Sequence, residues 1–478
     1  DATVSEVGCI GICFAEPILD IKIPNGTRLL YANVSAADVS NIIDSCLLKS
    51  DFTQSKLMGS LGESTEVPDT VPDLLQDPVF KLQYKIALRN AGEIDPRDIN
   101  QYIGRDGYSG LNKALTRMKP EEVLQQVMDS GLRGRGGAFF ATGLKWSFLS
   151  KSDAKVKYIL CNCEEGDPGA FNDKGILESD PHTLVEGIIL AGYATNSSDG
   201  IIFVRHGHDG PINKIKTAIS QAYEKGFLGE NILGSGFSFD VDVSLTGESY
   251  VAGEETALMD AIEGKRAMPR SKPPFPAAFG VWGKPTNINN VKTLAYIPSI
   301  IENGGEWFKS IGVNKSTGTA IICLSGKINN PGLYEVPLGI SIGQVINEIG
   351  GGVTGGNKIK LLQTGGPLGG VLGEAGLEIN IDFDEMAKAG AILGSGGIIV
   401  ADETTCAVDL TRVLVAFCQY ESCGKCFPCR LGMSQMLETI NNIAECKATE
   451  QDLDKCRKIG GPCNRVRCVV MASLALIQ

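Results

Sequence analysis

Short apolar runs alternate with helical patterns between residues 120 and 262, and this alternation constrains the fold more than any other feature. Helical apolar spacing occurs over residues 120–130, 182–194, 212–223 and 254–262. Between these segments, residues 155–161, 200–204 and 237–245 have the length and apolar content of strands. Strands that alternate with helices predict an α/β fold with a parallel, doubly wound sheet.

A glycine-rich stretch, residues 131–146, follows the first of these helices. It contains five glycines, and Arg133, Arg135 and Lys145 add positive charge. Glycine allows a tight turn and a close approach to a ligand, and successive backbone N–H groups form an anion-binding concavity. The stretch therefore predicts a loop that holds a cofactor phosphate, with a basic surface turn as the alternative. It is not a Rossmann fingerprint, because Phe139 stands where the third glycine is needed.

Charge and composition exclude several classes of protein. The net charge of −12 is unsuited to a nucleic-acid partner, which requires clustered Lys and Arg. No apolar run is long enough to span a bilayer and no signal peptide pattern occurs, so we expect no direct membrane insertion. Fifteen cysteines without a secretory signal favour metal ligation in a reducing compartment, and we expect a cytoplasmic protein. Three histidines are too few to favour imidazole-based metal sites or catalysis.

Five segments of different character are predicted along the 478 residues. Residues 1–50 indicate a small α/β module with two strands and a helix. A polar linker over residues 51–77 leads into the main α/β domain, residues 78–316. The order strand, strand, helix, strand within residues 317–404 is typical of a β-grasp module. Residues 405–478 are predicted to form a helical domain, and they contain nine of the cysteines.

Cys423, Cys426 and Cys429 form the strongest local signal. Three thiols at this spacing can bind one face of a four-iron cluster, which needs a fourth thiolate from elsewhere. The downstream candidates are Cys446, Cys456, Cys463 and Cys468. Four thiolates also suit tetrahedral zinc, but such zinc sites typically consist of two separated Cys-x-x-Cys pairs. The unbroken run therefore favours an iron–sulfur cluster.

Four polar segments are weaker signals on their own: residues 161–169, 247–256, 269–276 and 284–290. Polar groups at the carboxyl end of a strand lie where open α/β sheets bind ligands, although the first segment could equally be a solvated acidic turn. Acids in the second segment could serve only a helix dipole. The side-chain amides of the fourth segment could recognise the edge of a cofactor ring.

The glycine-rich stretch, the four polar segments and the cysteine run follow one another in an order that is typical of one protein family. From residue 80 to residue 470, the chain resembles the NADH-oxidising flavoprotein subunit of respiratory complex I. The resemblance rests on residues 131–146, 162–169, 250–255, 270–276, 289–290 and 423–429. Residues 165–171 are more similar to the flavin subunits of soluble NAD(P)-linked or electron-bifurcating hydrogenases and formate dehydrogenases. Residues 8–17 resemble the second half of a thioredoxin-like two-iron ferredoxin module.

The resemblance implies a fold and a set of cofactor contacts. The fold would comprise a Rossmann-like FMN domain, a β-grasp domain, a C-terminal helical iron–sulfur bundle and an N-terminal partial thioredoxin-like module. FMN contacts are implied for Arg133, Gly134, Arg135, Gly136, Gly137, Lys145, Asn162, Glu164, Glu165, Tyr250, Gly253, Glu254, Asn289 and Asn290. Contacts to the adenine of NAD(H) are implied for Phe140 and Phe148, and contacts to the rest of the dinucleotide for Asp167, Glu255, Lys272, Phe275 and Ser395.

The same resemblance implies two metal centres. The implied ligands of a [4Fe-4S] cluster are Cys423, Cys426, Cys429 and Cys468, with Cys463 as the alternative fourth ligand. Cys9 and Cys13 would contribute to a [2Fe-2S] cluster, whose other pair of cysteines would precede Asp1.

The implied activity is conversion of hydride transfer from or to NAD(H) into one-electron transfer through iron–sulfur clusters, without a catalytic side-chain base. The implied partners are a two-iron ferredoxin-like subunit and a hydrogenase, formate dehydrogenase or other catalytic subunit, and electron bifurcation stays open. NAD is favoured over NADP because Glu255 and Asp167 would repel a 2′-phosphate, although Arg270 and Lys272 weaken this argument. The alternative is a non-catalytic electron-wiring or assembly subunit with a degenerate flavin pocket, because residues 138–141 depart from the Ala-Gly-Phe-Pro usual in the family.

Overall fold

A computed structural model describes residues 3–23, 27–52, 55–62 and 67–465, and its N-terminal unit is a three-stranded antiparallel sheet. The elements are β1 (Leu19–Lys22), β2 (Arg28–Tyr31), α1 (Ala36–Ile43) and β3 (Leu57–Leu61), with β2 in the centre. The two predicted strands and the helix are confirmed. The prediction of residues 51–77 as a linker is wrong at β3, because this strand hydrogen-bonds to the edge of β2 that β1 does not cover. The thioredoxin-like assignment stays a prediction.

Four parallel strands form the centre of the largest unit. After α2 (Pro78–Lys81), the helices α3 (Ile99–Ile103), α4 (Ser109–Arg117), α5 (Pro120–Asp129) and α6 (Thr142–Ser150) precede the sheet. The remaining elements are β4 (Tyr158–Cys163), α7 (Asn172–Ser179), α8 (Pro181–Thr195), β5 (Asp199–Arg205), α9 (Asp209–Glu224), β6 (Asp240–Thr246), α10 (Glu255–Ile262), β7 (Thr286–Asn290), α11 (Val291–Ala295), α12 (Ile297–Asn303) and α13 (Gly305–Lys309). The predicted alternation of strands and helices is confirmed.

The strand order β6-β5-β4-β7 creates a reversal in the middle of this sheet. The chain moves outward from β4 through β5 to β6, and then returns to place β7 on the other side of β4. Ligands of open α/β sheets bind beyond the carboxyl ends of the strands at such a reversal. We therefore expect a ligand site at the segments that follow β4 and β7.

A mixed sheet forms a third unit. After the short pair β8 (Gly312–Val313) and β9 (Ser316–Thr317), it comprises β10 (Thr319–Gly326), β11 (Gly332–Pro337), β12 (Ile359–Thr364), β13 (Val371–Leu372) and β14 (Gly397–Asp402) in the order β11-β10-β14-β12-β13. Its helices are α14 (Ile342–Gln344), which continues as a π-turn to Ile349, and α15 (Phe383–Lys388). The predicted order strand, strand, helix, strand is confirmed, whereas the β-grasp name stays a prediction.

Three helices follow: α16 (Ala407–Tyr420), α17 (Met433–Ala444) and α18 (Glu450–Arg465). Their core contains Met433, Met436 and Ile440 together with several cysteines. The predicted helical character of this part is confirmed as far as residue 465, and residues 466–478 lie outside the described residues. Within the described ranges, every helix is too short or too polar to cross a lipid bilayer.

Candidate functional site

The glycine-rich stretch forms a closed loop between α5 and α6. The N–H of Gly134 donates to the carbonyl of Phe140 at 2.8 Å, and the N–H of Thr142 donates to the carbonyl of Leu132 at 2.9 Å. The tip of the loop lies against the start of α11, because the N–H of Arg135 donates to Thr293 Oγ1 at 2.9 Å. A Cβ on Gly136 would lie 3.1 Å from the Cβ of Asn290. The loop therefore lies at the carboxyl end of β7.

The loop tip offers free backbone donors. Among the described residues, no acceptor is hydrogen-bonded to the N–H groups of Gly136, Gly137 or Ala138. Gly137 has a φ of 103°, which a residue with a Cβ rarely adopts. Three successive N–H groups without protein acceptors in this part of the chain form a concavity that suits an anionic group. The geometry supports the prediction of a phosphate-binding loop.

Arg135 is buried at the boundary with the third unit. Its side chain is 3% exposed. The guanidinium donates to the carbonyls of Arg133 at 2.6 Å, Thr317 at 2.8 Å and Thr319 at 3.0 Å. Burial lowers its pKa, as expected for a cation removed from water. With these donors used by protein carbonyls, Arg135 holds the loop against the third unit, and its contact with FMN stays a prediction.

Asn162 and Glu164 lie at the carboxyl end of β4. Asn162 Nδ2 donates to the carbonyl of Gly253 at 2.8 Å, and its Oδ1 accepts from the N–H of Glu164 at 3.0 Å. The Glu164 carboxylate pairs with Arg205, which ends β5, and its side chain is only 1% exposed. Burial raises the pKa of Glu164 to about 8, against the opposing effect of Arg205. The site thus contains a carboxyl group that titrates near neutral pH.

A buried polar network lies beneath the loop and involves Glu165 and Asn290. The Glu165 carboxylate caps α7 by accepting from the N–H groups of Asp173 at 2.8 Å and Lys174 at 2.9 Å. Asp173 pairs with the buried ammonium of Lys292 at 3.0 Å and accepts from Asn290 Nδ2 at 2.6 Å. Burial raises the pKa of Glu165, and the Asp173 carboxylate adds to this effect. These groups position the ends of β4 and β7 relative to each other.

Asn289 is more enclosed than predicted. It is 6% exposed. Its Oδ1 accepts from Trp146 Nε1 at 3.3 Å, and its Nδ2 donates to Asn287 Oδ1 at 2.7 Å. Both ends of the amide are therefore used within the protein, and Asn289 links α6 to β7.

Two lysines face Glu255 at the start of α10. Lys145 pairs with one carboxylate oxygen of Glu255 and donates to the carbonyl of Ile288 at 2.6 Å. Lys272 lies 3.1 Å from the other oxygen and 3.1 Å from the carboxylate of Glu254, which also caps α10. Burial alone would raise the pKa of Glu255, but the two ammonium groups lower it to about 2. Glu255 is therefore ionised at neutral pH, and its negative charge is shared between two lysines.

Three predicted dinucleotide contacts are exposed aromatic rings. Phe140 is 48% exposed and Phe148 is 47% exposed, and their ring centroids lie 6.5 Å apart. Phe275 is 60% exposed. Exposed rings of this size are available to stack on a flat ligand. The adenine contact of Phe140 and Phe148, and the contact of Phe275 with the rest of the dinucleotide, stay predictions.

Asp167 and Ser395 are brought together from different units. Ser395 Oγ donates to Asp167 Oδ2 at 2.7 Å. Burial raises the pKa of Asp167, and the hydrogen bond from Ser395 partly opposes this. The Asp167 carboxylate also packs against the turn at Gly366, where a Cβ would approach it to 2.5 Å. The predicted pair therefore lies at the boundary between the parallel sheet and the mixed sheet.

The three clustered cysteines lie between α16 and α17. Cys423 and Cys429 are buried, at 8% and 1% exposure, and Cys426 is half-buried. Cys429 and Cys426 share an apolar core with Cys418 and Cys456. Cys446 is exposed. The predicted fourth ligands, Cys468 and the side chain of Cys463, lie outside the described residues.

Four contacts join the cysteine loop and the end of α16 to the parallel-sheet unit. The N–H of Tyr250 donates to Glu421 Oε2 at 2.9 Å, and the Tyr250 ring lies edge-on to Phe417 at 5.4 Å. Arg266 donates to the carbonyl of Cys423 at 3.3 Å, and Lys425 Nζ donates to the carbonyl of Pro269. These contacts keep the predicted cluster ligands next to the predicted flavin contacts.

Cys9 and Cys13 lie together near the N-terminus. Their Sγ atoms and a carboxylate oxygen of Glu16 all lie within 4.8 Å of one another. The N–H of Gly11 donates to Cys9 Sγ at 3.2 Å, and the carbonyl of Gly11 accepts from the N–H of Leu333 at 2.8 Å. The cysteine pair is thus attached to the mixed sheet.

Comparison with known proteins agrees with this geometry. The sequence profile of the Nuo51 FMN-binding domain matches residues 127–299, that of the NADH-ubiquinone oxidoreductase-F iron-sulfur binding region matches residues 409–475, and that of the SLBB domain matches residues 321–372. The chain is 48% identical over 379 residues to the NADP-reducing hydrogenase subunit HndC of Solidesulfovibrio fructosivorans, covering 79% of this chain and 77% of that protein. The chain belongs to the Nuo51 family of flavoproteins.

Two further comparisons agree with this family. An NADH-quinone oxidoreductase subunit of Escherichia coli strain K12 is 41% identical over 367 residues, covering 76% of this chain and 82% of that protein. In structure, the chain is similar to the NAD+-reducing [NiFe]-hydrogenase in its H2-reduced state. That match has a TM-score of 0.72 and 25% sequence identity, and covers 94% of this chain and 71% of that chain.

The residues of this Nuo51 family member fit the cofactors that the profiles describe. The N–H groups at the tip of the glycine loop suit the phosphate of FMN. The three cysteines between α16 and α17 suit a [4Fe-4S] cluster, because thiolates are its usual ligands. Sequence reasoning missed Arg205, Arg266, Lys292 and Glu421, which position these groups. Arg205 carried a detectable signal, because it directly follows the predicted strand 200–204 at the ligand-binding edge of the sheet.

Proposed function

We propose that this chain is the NAD(H)-oxidising or NAD-reducing subunit of a soluble, cytoplasmic, multi-subunit oxidoreductase. The observation that carries the proposal is a loop whose three tip N–H groups have no acceptor among the described residues, at the same sheet edge as the Lys145–Glu255–Lys272 group. A phosphate-binding loop beside a charged site and exposed aromatic rings suits two nucleotide cofactors in contact.

Each group has a distinct role in this proposal. The loop N–H groups of residues 136–138 bind the FMN phosphate. Asn162 and Glu164 border the flavin ring at the end of β4. Phe140 and Phe148 stack on adenine, and Lys272 orients the dinucleotide through Glu255. Lys145 pairs with the same carboxylate and contacts FMN. We expect no catalytic base, since hydride exchange between NAD(H) and a flavin is the chemistry of the cofactors, and these residues would bind and orient the reactants.

Bound FMN would supply the chemistry that side chains lack, because it exchanges a hydride with NAD(H) and single electrons with an iron–sulfur cluster. Cys423, Cys426 and Cys429 would hold the [4Fe-4S] cluster beside it. Cys9 and Cys13 would contribute to a [2Fe-2S] cluster. The contact between Tyr250 and Glu421 supports a short path between flavin and cluster.

NAD is the proposed dinucleotide, because ionised Glu255 would repel the 2′-phosphate of NADP. The names of the relatives include both NADH and NADP, and the ratio of kcat/KM for NADH and NADPH tests the preference. The proposed partners are a two-iron ferredoxin-like subunit and a catalytic subunit. A hydrogenase is favoured over a formate dehydrogenase, because HndC is named as a hydrogenase subunit. Electron bifurcation would depend on partners outside this chain.

The alternative of a degenerate flavin pocket rested on Phe139. The ring of Phe139 stacks on Phe383 with centroids 4.3 Å apart, and so it packs against the third unit. This contact gives Phe139 a role within the fold and lends no specific support to the alternative.

Anaerobic reconstitution with FMN, iron and sulfide tests the proposal. We expect about one FMN and at least four iron atoms per chain, with bleaching of flavin absorbance on addition of NADH. Lys272→Ala should weaken NADH binding, whereas Lys216→Ala, at an exposed lysine on α9, should not. A chain that binds only zinc, or that binds FMN without bleaching by NADH or NADPH, would refute the proposal.

A further inference from the structure

Phe139 has an unusual backbone conformation at the tip of the cofactor loop. Its φ is 51°, in the left-handed region. Residues with a Cβ incur strain in this region, and a bulky aromatic residue is a genuine outlier. Such strain persists only where the surroundings over-determine the conformation, so the contacts of the side chain must compensate for it.

The compensating contact is an aromatic stack between two units. The Phe139 ring lies on Phe383, with an interplanar angle of 28° and centroids 4.3 Å apart. Phe383 is 3% exposed and begins α15 in the mixed-sheet unit. An offset stack at this distance is a favourable aromatic arrangement. The loop, which belongs to the parallel-sheet unit, is therefore attached to a helix of the mixed-sheet unit.

Arginine contacts reinforce the same attachment. The guanidinium of Arg133 lies 5.0 Å from the centroid of the Phe383 ring, and that of Arg135 lies 5.1 Å from it. Arg133 Nε also donates to the carbonyl of Phe139 at 2.8 Å, and its Nη1 lies 3.2 Å from Asp384. Both sides of the loop thus converge on the first turn of α15.

The residue after this left-handed position, Phe140, has its side chain at the protein surface. Phe140 is 48% exposed and faces Phe148. Its carbonyl accepts from the N–H of Gly134 at 2.8 Å, which closes the loop. One short segment therefore anchors the loop on one side and presents an exposed ring on the other.

We propose that Phe139 is a positioning residue, which fixes the FMN-phosphate loop and the ring of Phe140 by stacking on Phe383. The inference rests on the proposed function. A glycine would adopt the same φ without strain but would leave the face of Phe383 uncovered.

The test compares Phe139→Ala, Phe139→Gly and Phe383→Leu in the anaerobically reconstituted full chain. FMN dissociation is followed by the rise in flavin fluorescence on dilution, and NADH binding by KM. We expect Phe139→Ala to raise the FMN dissociation rate and the KM for NADH about three- to tenfold each, with kcat changed less than twofold. Phe139→Gly should lie between Phe139→Ala and the parent, because it removes the ring but also the strain.

A double-substitution cycle separates positioning from a general loss of stability. Combining Phe139→Ala with Phe383→Leu should add less than twofold to either single change, because both remove the same contact. Phe237→Leu serves as the control, since its ring packs on Tyr193 and Phe239 and not on the loop. It should leave FMN release unchanged. Equal FMN release and equal KM in the parent and in both Phe139 variants would overturn the proposal.

Failure of the proposed function would look different. If the parent chain itself retained no FMN, the proposed function would fail before any variant was compared. If the parent retained FMN and the variants retained it equally, only the role of Phe139 would fail.

Discussion

Arg135 provides the most direct test of how the cofactor loop is held. The guanidinium makes four hydrogen bonds to three buried carbonyls, at 2.6, 2.8, 3.0 and 3.2 Å. Arg135→Lys retains the charge. The ammonium group is compact, however, and lacks the planar fork of donors with which the guanidinium reaches all three carbonyls. A hydrogen bond to a charged group contributes about 1.5–3 kcal/mol. We therefore expect a loss of about 2–4 kcal/mol in the free energy of unfolding.

Arg135→Met is expected to be more destabilising. It leaves the three carbonyls without their donor, and each buried unsatisfied acceptor costs about 1–3 kcal/mol. For a domain of this size, each kcal/mol corresponds to roughly 2–4 °C in melting temperature. The Arg135→Lys variant should therefore melt about 5–15 °C below the parent, and Arg135→Met lower still.

Differential scanning calorimetry of the FMN-free and FMN-saturated chain measures both effects. If Arg135 acts within the protein, the melting temperature falls already in the FMN-free form, and added FMN does not restore the difference. Arg97→Lys is the control, because Arg97 is half-exposed and pairs at the surface with Asp95 and Glu6. An FMN-free Arg135→Lys variant that melts within about 1 °C of the parent would refute the reasoning.

Three further predictions follow from the site. Glu255→Gln should lower the preference for NADH over NADPH about tenfold, because one repelling charge is removed, and the ratio of kcat/KM values measures this; an unchanged ratio would contradict it. Cys426→Ser should abolish the [4Fe-4S] signal in electron paramagnetic resonance while FMN is retained, and an unchanged iron content would exclude Cys426 as a ligand. The folded pKa of Glu164 is raised from 4.5 to about 8, so its contribution to stability is present below pH 4.5 and is lost as the pH rises through 8. Arg205→Ala should raise this pKa further and enlarge the fall in melting temperature between pH 6 and pH 9, and an equal fall in the parent would contradict the pairing.

Local patterns in the sequence were sufficient for the parallel sheet and the cysteine loop. Side-chain periodicity records which face of an element is buried, and this depends on neighbours only a few residues away. The strands from Tyr158 to Thr246 were therefore predictable, as was the helical unit after residue 405, whereas the strand Thr286–Asn290 was predicted only as a polar segment. The strand Leu57–Leu61 was missed, because its pairing with β2 uses backbone groups that leave little trace in a polar segment.

The side-chain partners of the site were not predictable in the same way. Arg133 meets Asp384 across 251 positions of sequence, and Glu164 meets Arg205 across 41. A charged residue in a glycine-rich loop has the same local pattern whether it faces a cofactor or a buried carbonyl. Only the packing of the third unit on the loop turns Arg135 inward.

The sequence by itself determined the order of the units, the glycine loop and the spacing of three thiols, because these depend on local backbone freedom and periodicity. Tertiary structure decided the remaining features. It directs the ring of Phe139 towards Phe383, it sets the pKa of Glu164, and it divides the negative charge of Glu255 between two lysines. Each of these depends on burial and on the distance between charges, and both arise only when distant segments pack together.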